Sequence, residues 1–517
     1  MMKTLEQLTQ GLEVIGPARG LDVQVSGVSY DSRRVEKGTL FVCVPGTRTD
    51  GHQFIRDAVS RGAAAIVAQT ETDSGLATGF VRVRDTRAAL AYISTNFYDR
   101  PASKLHLIGI TGTNGKTTTS LLIESILRSS GLKTGVIGTL AYRWADKQIA
   151  APMTTPESSD LQALFYRMLQ DGISHVVMEV SSHALSLGRI AGCEFKTGVF
   201  TNLSQDHLDF HSTMEEYFAA KKLLFSSYLN PQISGAVINV DDAYGERIAE
   251  NGACRAARVI GYSGGTGRRV QKGEAVFVES ARFSPLGIEA KIQTPGGALT
   301  VESRLVGKLN LYNILAAIST AVSLEIAPQI IEEGIRNLSR VDGRLEPVPI
   351  PGGCGFQVIV DFAHTPDAME KAISCIREMT EKRLIAVFGC GGDRDRKKRP
   401  IMGRIAAEQA DIVILTSDNP RSEPPEEIID EIETGVKRFG VPRLSPAEMA
   451  SAPKGYTREA DRRKAIELAL ALGRPGDLIF IGGKGHETYQ ILGTVKHSFD
   501  DRVVVREYFA GRGCNGQ

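Results

Sequence analysis

The sequence has no long hydrophobic run. No apolar stretch approaches the ~18 residues that a membrane-crossing helix requires, so no membrane insertion is expected. It also has no excess of either charge. Lys and Arg number 61 against 60 for Asp and Glu, a formal net charge of +1. That balance gives no reason to expect a nucleic-acid or membrane surface, so substrates must be recognised by local sites. There is no disulfide pattern. The seven cysteines (Cys43, Cys193, Cys254, Cys354, Cys375, Cys390 and Cys514) are scattered, odd in number and never in C-x-x-C spacing. Reduced thiols in a cytoplasmic setting are expected, not a disulfide framework or a zinc site. The start, "MMKTLEQLTQGLEV", is amphipathic without an unbroken apolar h-region, so no signal peptide is expected. There are no repeats and no low-complexity tract.

What is present is an ordinary globular composition. The chain has 517 residues, 42% hydrophobic and 23% charged, enough for about three domains with real cores. Residues 1–100 mix short apolar strands ("GTLFVCVPG") with helices, the last of which stops before Pro101. "KLHLIGITGTNGKTTTSLLIESILRSSGLKTGVIG" reads as strand, glycine loop, helix, glycine stop and strand, a βαβ unit of a parallel sheet. Further strands are expected at "HVVMEVSS", "TGVFTNL" and "GAVINVDD". From about 253 to 306, Gly/Pro-punctuated β segments look like hairpins added to that core, followed by a buried helix at "LYNILAAISTAVSLEI". A second break falls near "RVDGRLEPVPIPGGCG". Beyond it strands and helices alternate again, and "CNGQ" reads as a frayed tail. The expected fold is therefore α/β in three domains. Residues 1–100 form an N-terminal α/β domain. Residues 101–339 form a P-loop-type parallel-sheet domain. Residues 340–517 form a Rossmann-like doubly wound domain.

"GITGTNGKTTTS" carries the strongest local chemistry. Backbone N–H groups from Gly112 to Thr118 can wrap phosphates at a helix N-terminus, where the dipole favours negative charge. Lys116 would reach the β/γ-phosphates and the Thr117 hydroxyl would face Mg²⁺. The spacing is not the usual P-loop: Ile110 stands five residues before Gly115, where that pattern has glycine. "VVMEVSSHAL" sets Glu179, Ser181, Ser182 and His183 at a strand end, where ligands of open α/β sheets collect, and a carboxylate there suits a hard metal ion. "TNLSQDHLDFH" brings Asp206, His207, Asp209 and His211 after another strand. Either cluster could instead be a solvated loop or a helix cap. By spacing alone, Lys221 and Lys222 of "YFAAKKLLF" read as the edge of an amphipathic helix. "TSDNPRSE" puts Arg421 at the end of the strand "ADIVIL", well placed to grip an anion.

Taken together the sequence resembles the Mur ligases, ATP-dependent enzymes that build the peptide of the bacterial cell-wall precursor. The motifs are "GTNGKTT", "MEVSSHAL", "FTNLSQDHLDFH", "KKLLF", "NVDDAYG", "GKLNLYN", "GRLE", "VDFAHTPDAMEKA", "FGCGGDRDRKKRPIMG", "SDNPR" and "GKGHETY". They run in the family's order over nearly the whole chain. Within the family they look like the ligases that add the third residue. The implied reaction joins UDP-N-acetylmuramoyl-L-alanyl-D-glutamate to a diamino acid with ATP as phosphoryl donor and Mg²⁺ as cofactor. Only small-molecule partners, a monomer and a cytoplasmic setting are implied.

Carried over residue by residue, Gly112, Thr113, Asn114, Gly115, Lys116, Thr117 and Thr118 match the ATP loop. Asn310 matches the adenine side, and Arg344 an arginine near the nucleotide. Asp361 and His364 match groups that meet ATP from the third domain. Glu179 and His207, with Thr117, match the magnesium positions. Lys221 matches the family's carbamylated lysine, a carboxylate-like metal ligand, which on resemblance alone reverses the helix-edge reading. Tyr30 and Ser32 match uridine contacts. Thr154, Thr155, Ser181 and Arg189 match contacts to the muramoyl peptide. Thr47, Arg48 and Thr49 fall where relatives carry a different loop. Arg394, Asp418, Asn419, Pro420, Arg421, Gly483 and Glu487 match the positions that hold meso-diaminopimelate. Lysine-adding relatives lack the arginine of "DNPR", and the two amino acids differ by one distal carboxylate that a guanidinium can pair bidentately.

Other readings are a lysine-adding ligase, a folylpolyglutamate synthase, a P-loop switch and an oxidoreductase. The "YDSR" and "DNPR" motifs speak against the synthase. A switch leaves the third domain without a role. The glycines of "FGCGGDRD" lack the G-x-G-x-x-G spacing of a dinucleotide site.

Overall fold

The computed structural model describes residues 1–46, 49–71, 79–208, 210–250, 254–265, 273–350, 354–380 and 382–510. Three sheets organise the chain, each with helices on both faces. The first has four parallel strands in sequence order: β1 (Gly27–Ser29), β2 (Thr39–Val42), β3 (Ala65–Ala68) and β4 (Gly79–Arg82). β2 and β3 are buried at every position, as short unbroken apolar runs in a parallel sheet should be. Leu40, Val42 and Val67 pack with Leu90, Ile93 and Phe97, whereas Phe41 and Ile66 pack on the other face with Ile55 and Ala58.

The second sheet has eleven strands. They are β5 (His106–Thr111), β6 (Thr134–Ile137), β7 (Ala141–Trp144), β8 (Lys147–Ala150), β9 (His175–Glu179), β10 (Thr197–Phe200), β11 (Gly235–Asn239), β12 (Arg258–Ser263), β13 (Glu274–Ser284), β14 (Gly287–Thr294) and β15 (Gly297–Ser303). Their spatial order is β8-β7-β6-β9-β5-β10-β11-β12-β13-β14-β15. The run from β6 to β13 is parallel, and both edges finish in antiparallel strands. The Gly/Pro-punctuated segments thus extend the sheet itself. Helices α1 (Lys116–Ser129) and α3 (Lys308–Ser323) cover one face, and α2 (Met214–Ser227) covers the other. Small residues along α3 (Ala316, Ala317, Ser319 and Thr320) are fully buried and let it lie close to its neighbours.

The third sheet contains β16 (Glu346–Pro347), β17 (Gln357–Asp361), β18 (Leu384–Phe388), β19 (Ile412–Leu415), β20 (Gly455–Arg458) and β21 (Leu478–Gly482). Their order is β16-β17-β21-β18-β19-β20, parallel except for β16. Helices α4 (Pro366–Arg377), α5 (Lys398–Gln409) and α6 (Pro425–Arg438) pack on one face. Arg462–Leu472 and Asp501–Ala510 pack on the other. A separate hairpin, β22 (Tyr489–Leu492) and β23 (Val495–Ser498), stands outside the sheet.

One sequence-based expectation is corrected. Cys43, Cys193, Cys254, Cys375 and Cys390 are free thiols, but Cys354 is disulfide-bonded. Spacing along a chain cannot reveal a partner brought close only by folding. Among the described residues no helix is long and apolar enough to cross a membrane. The tail "CNGQ" lies outside the described residues.

Candidate active site

Seven strands of two sheets (β5, β6, β9, β10, β11, β12 and β17) aim their C-terminal ends at one cavity of about 500 Å³, the usual place for ligands in open α/β sheets. β5 ends at Thr111 and α1 begins at Lys116, with Gly115 capping the helix at φ 85°. A β-carbon on Gly115 would lie 2.3 Å from Asn313 Oδ1, and one on Gly112 would lie 1.9 Å from Thr201 Oγ1. Both positions therefore require glycine, the second for close approach of backbone to the next strand's loop. The Asn114 amide donates to Asn202 Oδ1 at 3.0 Å, and Thr201 Oγ1 donates to Asn114 O at 2.7 Å. The first turn of α1 leaves its amides without intrahelical partners and carries the positive end of the dipole. Thr113, Asn114, Thr117 and Thr118 line the cavity.

Two lysines meet at this loop. Lys116 Nζ turns back to donate to Gly112 O and Thr113 O, each at 2.8 Å. Lys221 Nζ, from α2, donates to the same Gly112 carbonyl at 2.9 Å and lies 4.5 Å from the Tyr217 ring centre. Lys221 is 1% exposed. The helix-edge placement that its spacing suggested is therefore overturned: α2 turns this position into the sheet, because Leu224 and Phe225 pack on the same side. Loss of water lowers the pKa of Lys116, and it lowers that of Lys221 far below the ordinary lysine value, with the Lys116 charge adding to the effect.

β9 delivers Glu179, which is 1% exposed. Its carboxylate accepts from the Thr139 amide (2.9 Å) and from Thr139 Oγ1 (3.0 Å). No ion pair to it lies within 4 Å among the described residues, so oxygen lone pairs remain for a hard cation. Thr154 Oγ1 lies 3.1 Å from Thr139 Oγ1, and Thr155 Oγ1 donates to Glu179 O at 2.8 Å while accepting from the Ser181 amide at 3.1 Å. Arg189 pairs with Glu157 at 2.8 Å and donates to Thr155 O at 3.3 Å. His207, at φ 54°, lines the cavity beside Asp206 and meets the His183 ring edge-on at 4.9 Å. Asp209 lies outside the described residues.

Glu179, His207 and Thr117 line the same cavity and are the groups that could hold a magnesium ion whose remaining oxygens come from substrate phosphates, as is common for Mg²⁺. Among the described residues no group of three or more His, Cys, Asp or Glu forms a self-sufficient metal cage.

The third domain closes the cavity. Arg344 stacks on Phe362 with its guanidinium carbon 4.9 Å from the ring centre, and its buried Nε has no hydrogen-bond partner among the described residues. Asp361 accepts from the Leu345 amide at 2.7 Å, and burial raises its pKa. His364 Nδ1 lies 2.8 Å from Phe362 O. Asn310 bridges α3, donating to Val306 O (2.9 Å) and accepting from Asn313 Nδ2 (3.0 Å). Sequence reasoning did not single out Asp367, although it sits in the "HTPD" motif. Its Oδ2 accepts from Asn114 Nδ2 (2.9 Å) and Ser204 Oγ (2.6 Å), so it ties α4 directly to the phosphate loop. Asn202 and Thr139 were missed in the same way, since their work is to hold other groups.

The remaining candidates fall into two other places. Tyr30 and Ser32 belong to the first sheet's loops and do not line the cavity. Tyr30 OH donates to Asp160 Oδ2 at 2.9 Å across the junction with the second sheet, and burial raises its pKa. Thr47 and Arg48 lie outside the described residues, and Thr49 accepts from Gly46 at 2.8 Å.

Arg394, Asp418, Asn419, Pro420, Arg421, Gly483 and Glu487 gather at the ends of β18, β19 and β21, also apart from the cavity. Asn419 Nδ2 donates to Glu487 Oε2 (2.9 Å), and the fully buried Lys484 donates to the same oxygen (2.9 Å). Asp418 Oδ1 is buried with no hydrogen-bond partner among the described residues, 3.7 Å from Lys484, and burial raises the Asp418 pKa. Gly483 sits at φ 111°, where a β-carbon would lie 2.9 Å from Asp418 Oδ2. Pro420 O lies against Gly392. Arg394 and Arg421 flank Gly391, since a β-carbon there would lie 2.9 Å from Arg421 Nη1 and 3.7 Å from Arg394 Cγ. Arg421 Nη1 donates to Gly392 O at 2.7 Å and to Asn419 O at 3.5 Å, and among the described residues no other hydrogen bond takes up its Nε or Nη2, which leaves that edge for a ligand.

The Mur ligase middle domain matches residues 110–321, the Mur ligase glutamate ligase domain 343–485, and the Mur ligase family catalytic domain 24–98. The chain is 43% identical over 519 residues to a UDP-N-acetylmuramoyl-L-alanyl-D-glutamate--2,6-diaminopimelate ligase of Geobacter metallireducens, covering 99% of each chain. It is 46% identical over 498 residues to the ligase of the same name from Gloeobacter violaceus, covering 96% of each. A solved structure of a ligase of that name superposes with a TM-score of 0.69 at 30% identity, covering 99% of both chains. With the phosphate loop, the glutamate-bearing strand and the doubly wound third sheet in place, the chain belongs to the Mur ligase family.

Proposed function

We propose that the protein is an ATP-dependent amide ligase that joins meso-2,6-diaminopimelate to UDP-N-acetylmuramoyl-L-alanyl-D-glutamate. The observation that carries this reading is the shared cavity. It brings the phosphate loop of the second sheet against Arg344, Asp361 and His364 from the third, beside the buried carboxylate of Glu179, which makes no ion pair within 4 Å among the described residues.

A carboxylate is a poor acylating agent in water. In the first step an oxygen of the D-glutamate carboxylate attacks the γ-phosphorus of ATP, and the bond to the β-phosphate oxygen breaks. ADP and an acyl phosphate result. In the second step the amine of the diamino acid attacks the acyl carbon, loses a proton, and phosphate leaves from the tetrahedral intermediate. Phosphoryl transfer needs positioning and charge neutralisation above all. The loop amides and Lys116 supply donors once Lys116 swings from its backbone carbonyls to phosphate. Asn310 and Arg344 face the nucleotide. Thr117, Glu179 and His207 would hold Mg²⁺, which supplies further neutralisation of phosphate charge. Lys221 is the residue for carbamylation. CO₂ adding to the neutral, buried amine with loss of a proton turns it into a carboxylate-like anion against the loop.

Thr154, Thr155, Ser181 and Arg189 lie along the path to Glu179 and suit the muramoyl peptide, with Tyr30 and Ser32 toward the uridine. Arg421 suits the distal carboxylate of the diamino acid, and Asn419 and Glu487 its ammonium. The test is phosphate release measured with each substrate omitted in turn. Turnover that requires ATP, the UDP-dipeptide and the diamino acid together is expected. Comparable turnover with ATP alone would make the protein a switch or simple ATPase instead.

A further inference from the structure

Arg421 has an unusual backbone for a residue with a long side chain. Its φ is 52°, a left-handed conformation that non-glycine residues seldom adopt and that persists where the surroundings over-determine it. The surroundings are the hairpin of β22 and β23. The Arg421 amide donates to Ile491 O at 3.1 Å, and the Gly493 amide returns a bond to Arg421 O at 2.8 Å. The preceding residues are held from the same strand. The Ile491 amide donates to Asn419 Oδ1 at 3.0 Å, and Gln490 Nε2 donates to Asp418 O at 2.8 Å and to Ser417 Oγ at 3.3 Å.

The hairpin has little else to do. It is a two-stranded sheet of its own, and none of its strand residues is fully buried. Such a hairpin is at best marginally stable alone, so its contacts with Ser417–Arg421 and its own turn define it. That turn spans Gly493–Thr494, between the paired residues Leu492 and Val495. Gly493 sits at φ 60°, the backbone that a two-residue hairpin loop opening on glycine adopts. The strand also starts two residues after Glu487, whose Oε1 accepts from Tyr489 OH at 3.3 Å. One surface element therefore braces both arms of the cluster, Arg421 and Glu487.

We propose that this hairpin is the specificity brace of the ligase: Gly493 and Gln490 are positioning residues that hold Arg421 in its left-handed pose, and thereby set the preference for a diamino acid with a distal carboxylate. The inference rests on the diamino-acid role given to Arg421 above. It goes beyond that role in assigning selectivity to residues outside the cluster itself.

Gly493→Pro tests it. Proline cannot adopt φ 60° and has no N–H for Arg421 O. A β-carbon on Gly493 meets nothing within 4 Å beyond its chain neighbours, but the ring Cδ takes the place of the N–H that points at Arg421 O, so the change removes that bond and pushes the turn away from Arg421. Gly493→Asn is the conservative partner, because asparagine tolerates the left-handed region and keeps the N–H. KM and kcat are measured for meso-diaminopimelate, L-lysine, ATP and the UDP-dipeptide. Gly493→Pro is expected to raise KM for meso-diaminopimelate and to cut its preference over lysine by about tenfold, equivalent to ~1.4 kcal/mol. KM for ATP and the UDP-dipeptide should hold. Gly493→Asn should restore the preference, and Gln490→Ala should reproduce the same split on a smaller scale. Unchanged selectivity in both Gly493→Pro and Gln490→Ala, with a selective wild type, overturns the brace alone. Equal losses for all substrates overturn it too, since that marks general damage. A wild type that uses neither diamino acid overturns the underlying reading and the brace with it.

Discussion

The phosphate loop and the Arg421 cluster both sit at the C-terminal ends of parallel strands, yet they are held in different ways. The loop is one contiguous run. Lys116 is anchored on carbonyls three and four residues back, and the helix it starts supplies the dipole. The Arg421 cluster gathers loops near residues 391, 418, 484 and 491. Ion pairs join them more than local geometry does. Arg399, 0% exposed, bonds both Glu423 (2.8 Å) and Glu431 (3.0 Å), and Glu423 in turn accepts from the Asp393 amide at 2.6 Å. Arg462 and Asp501 pair at 2.7 Å with both side chains fully buried, while Arg462 donates to Ser417 O (3.3 Å) and Gly482 O (3.0 Å). The difference teaches that the phosphate loop is a local motif, whereas the Arg421 cluster, proposed above to choose the amine, depends on a frame. Damage to the frame should change selectivity before it changes rate.

Lys116→Ala gives the largest expected effect. Removing one pre-organised donor to a transferring phosphoryl group costs about 10³-fold in kcat, and the loss should be the same with meso-diaminopimelate or lysine as amine. A change in the ratio between them would break the separation of chemistry from choice. Arg421→Ala is next. Losing a charge-assisted bond worth ~1.5–3 kcal/mol should lower the preference for meso-diaminopimelate by roughly 10- to 100-fold, with KM for ATP unchanged in initial-rate assays. A wild type that uses both amino acids equally would remove Arg421 as the discriminator.

The smallest effect concerns the frame alone. The Arg399 guanidinium holds the Glu423 carboxyl down to about 2, from an ordinary value of 4.5. A depressed folded pKa means that the stabilisation is complete above pH ~4.5 and fades as pH falls toward 2. Glu423→Gln should therefore flatten the fall in stability across that window, read as urea midpoints at pH 5, 4 and 3. A slope identical to wild type would show that Glu423 does not brace this region.

How much was legible depended on how local the cause is. The βαβ unit, the strand-end carboxylate Glu179 and the alternation of the third domain follow from short-range pattern, and all three form. Lys221 illustrates the limit. Two adjacent lysines among apolar residues read as a solvated helix edge, and only docking of α2 on the sheet shows which of the two is buried. Asp367 was overlooked because nothing in "HTPD" announces that its carboxylate will meet Asn114, 253 residues away. Cys354 was misread because a disulfide depends on proximity in space.

By itself the sequence determined the three α/β layers and the phosphate loop, since strand periodicity, glycine placement and a helix dipole act within a few residues of their cause. Only the tertiary structure decided which lysine enters the core, how Asp367 joins the second and third sheets across the cavity, and what holds Arg421 at positive φ. Those outcomes depend on burial and hydrogen bonds between segments far apart in the chain, and their energies exist only once the segments have met.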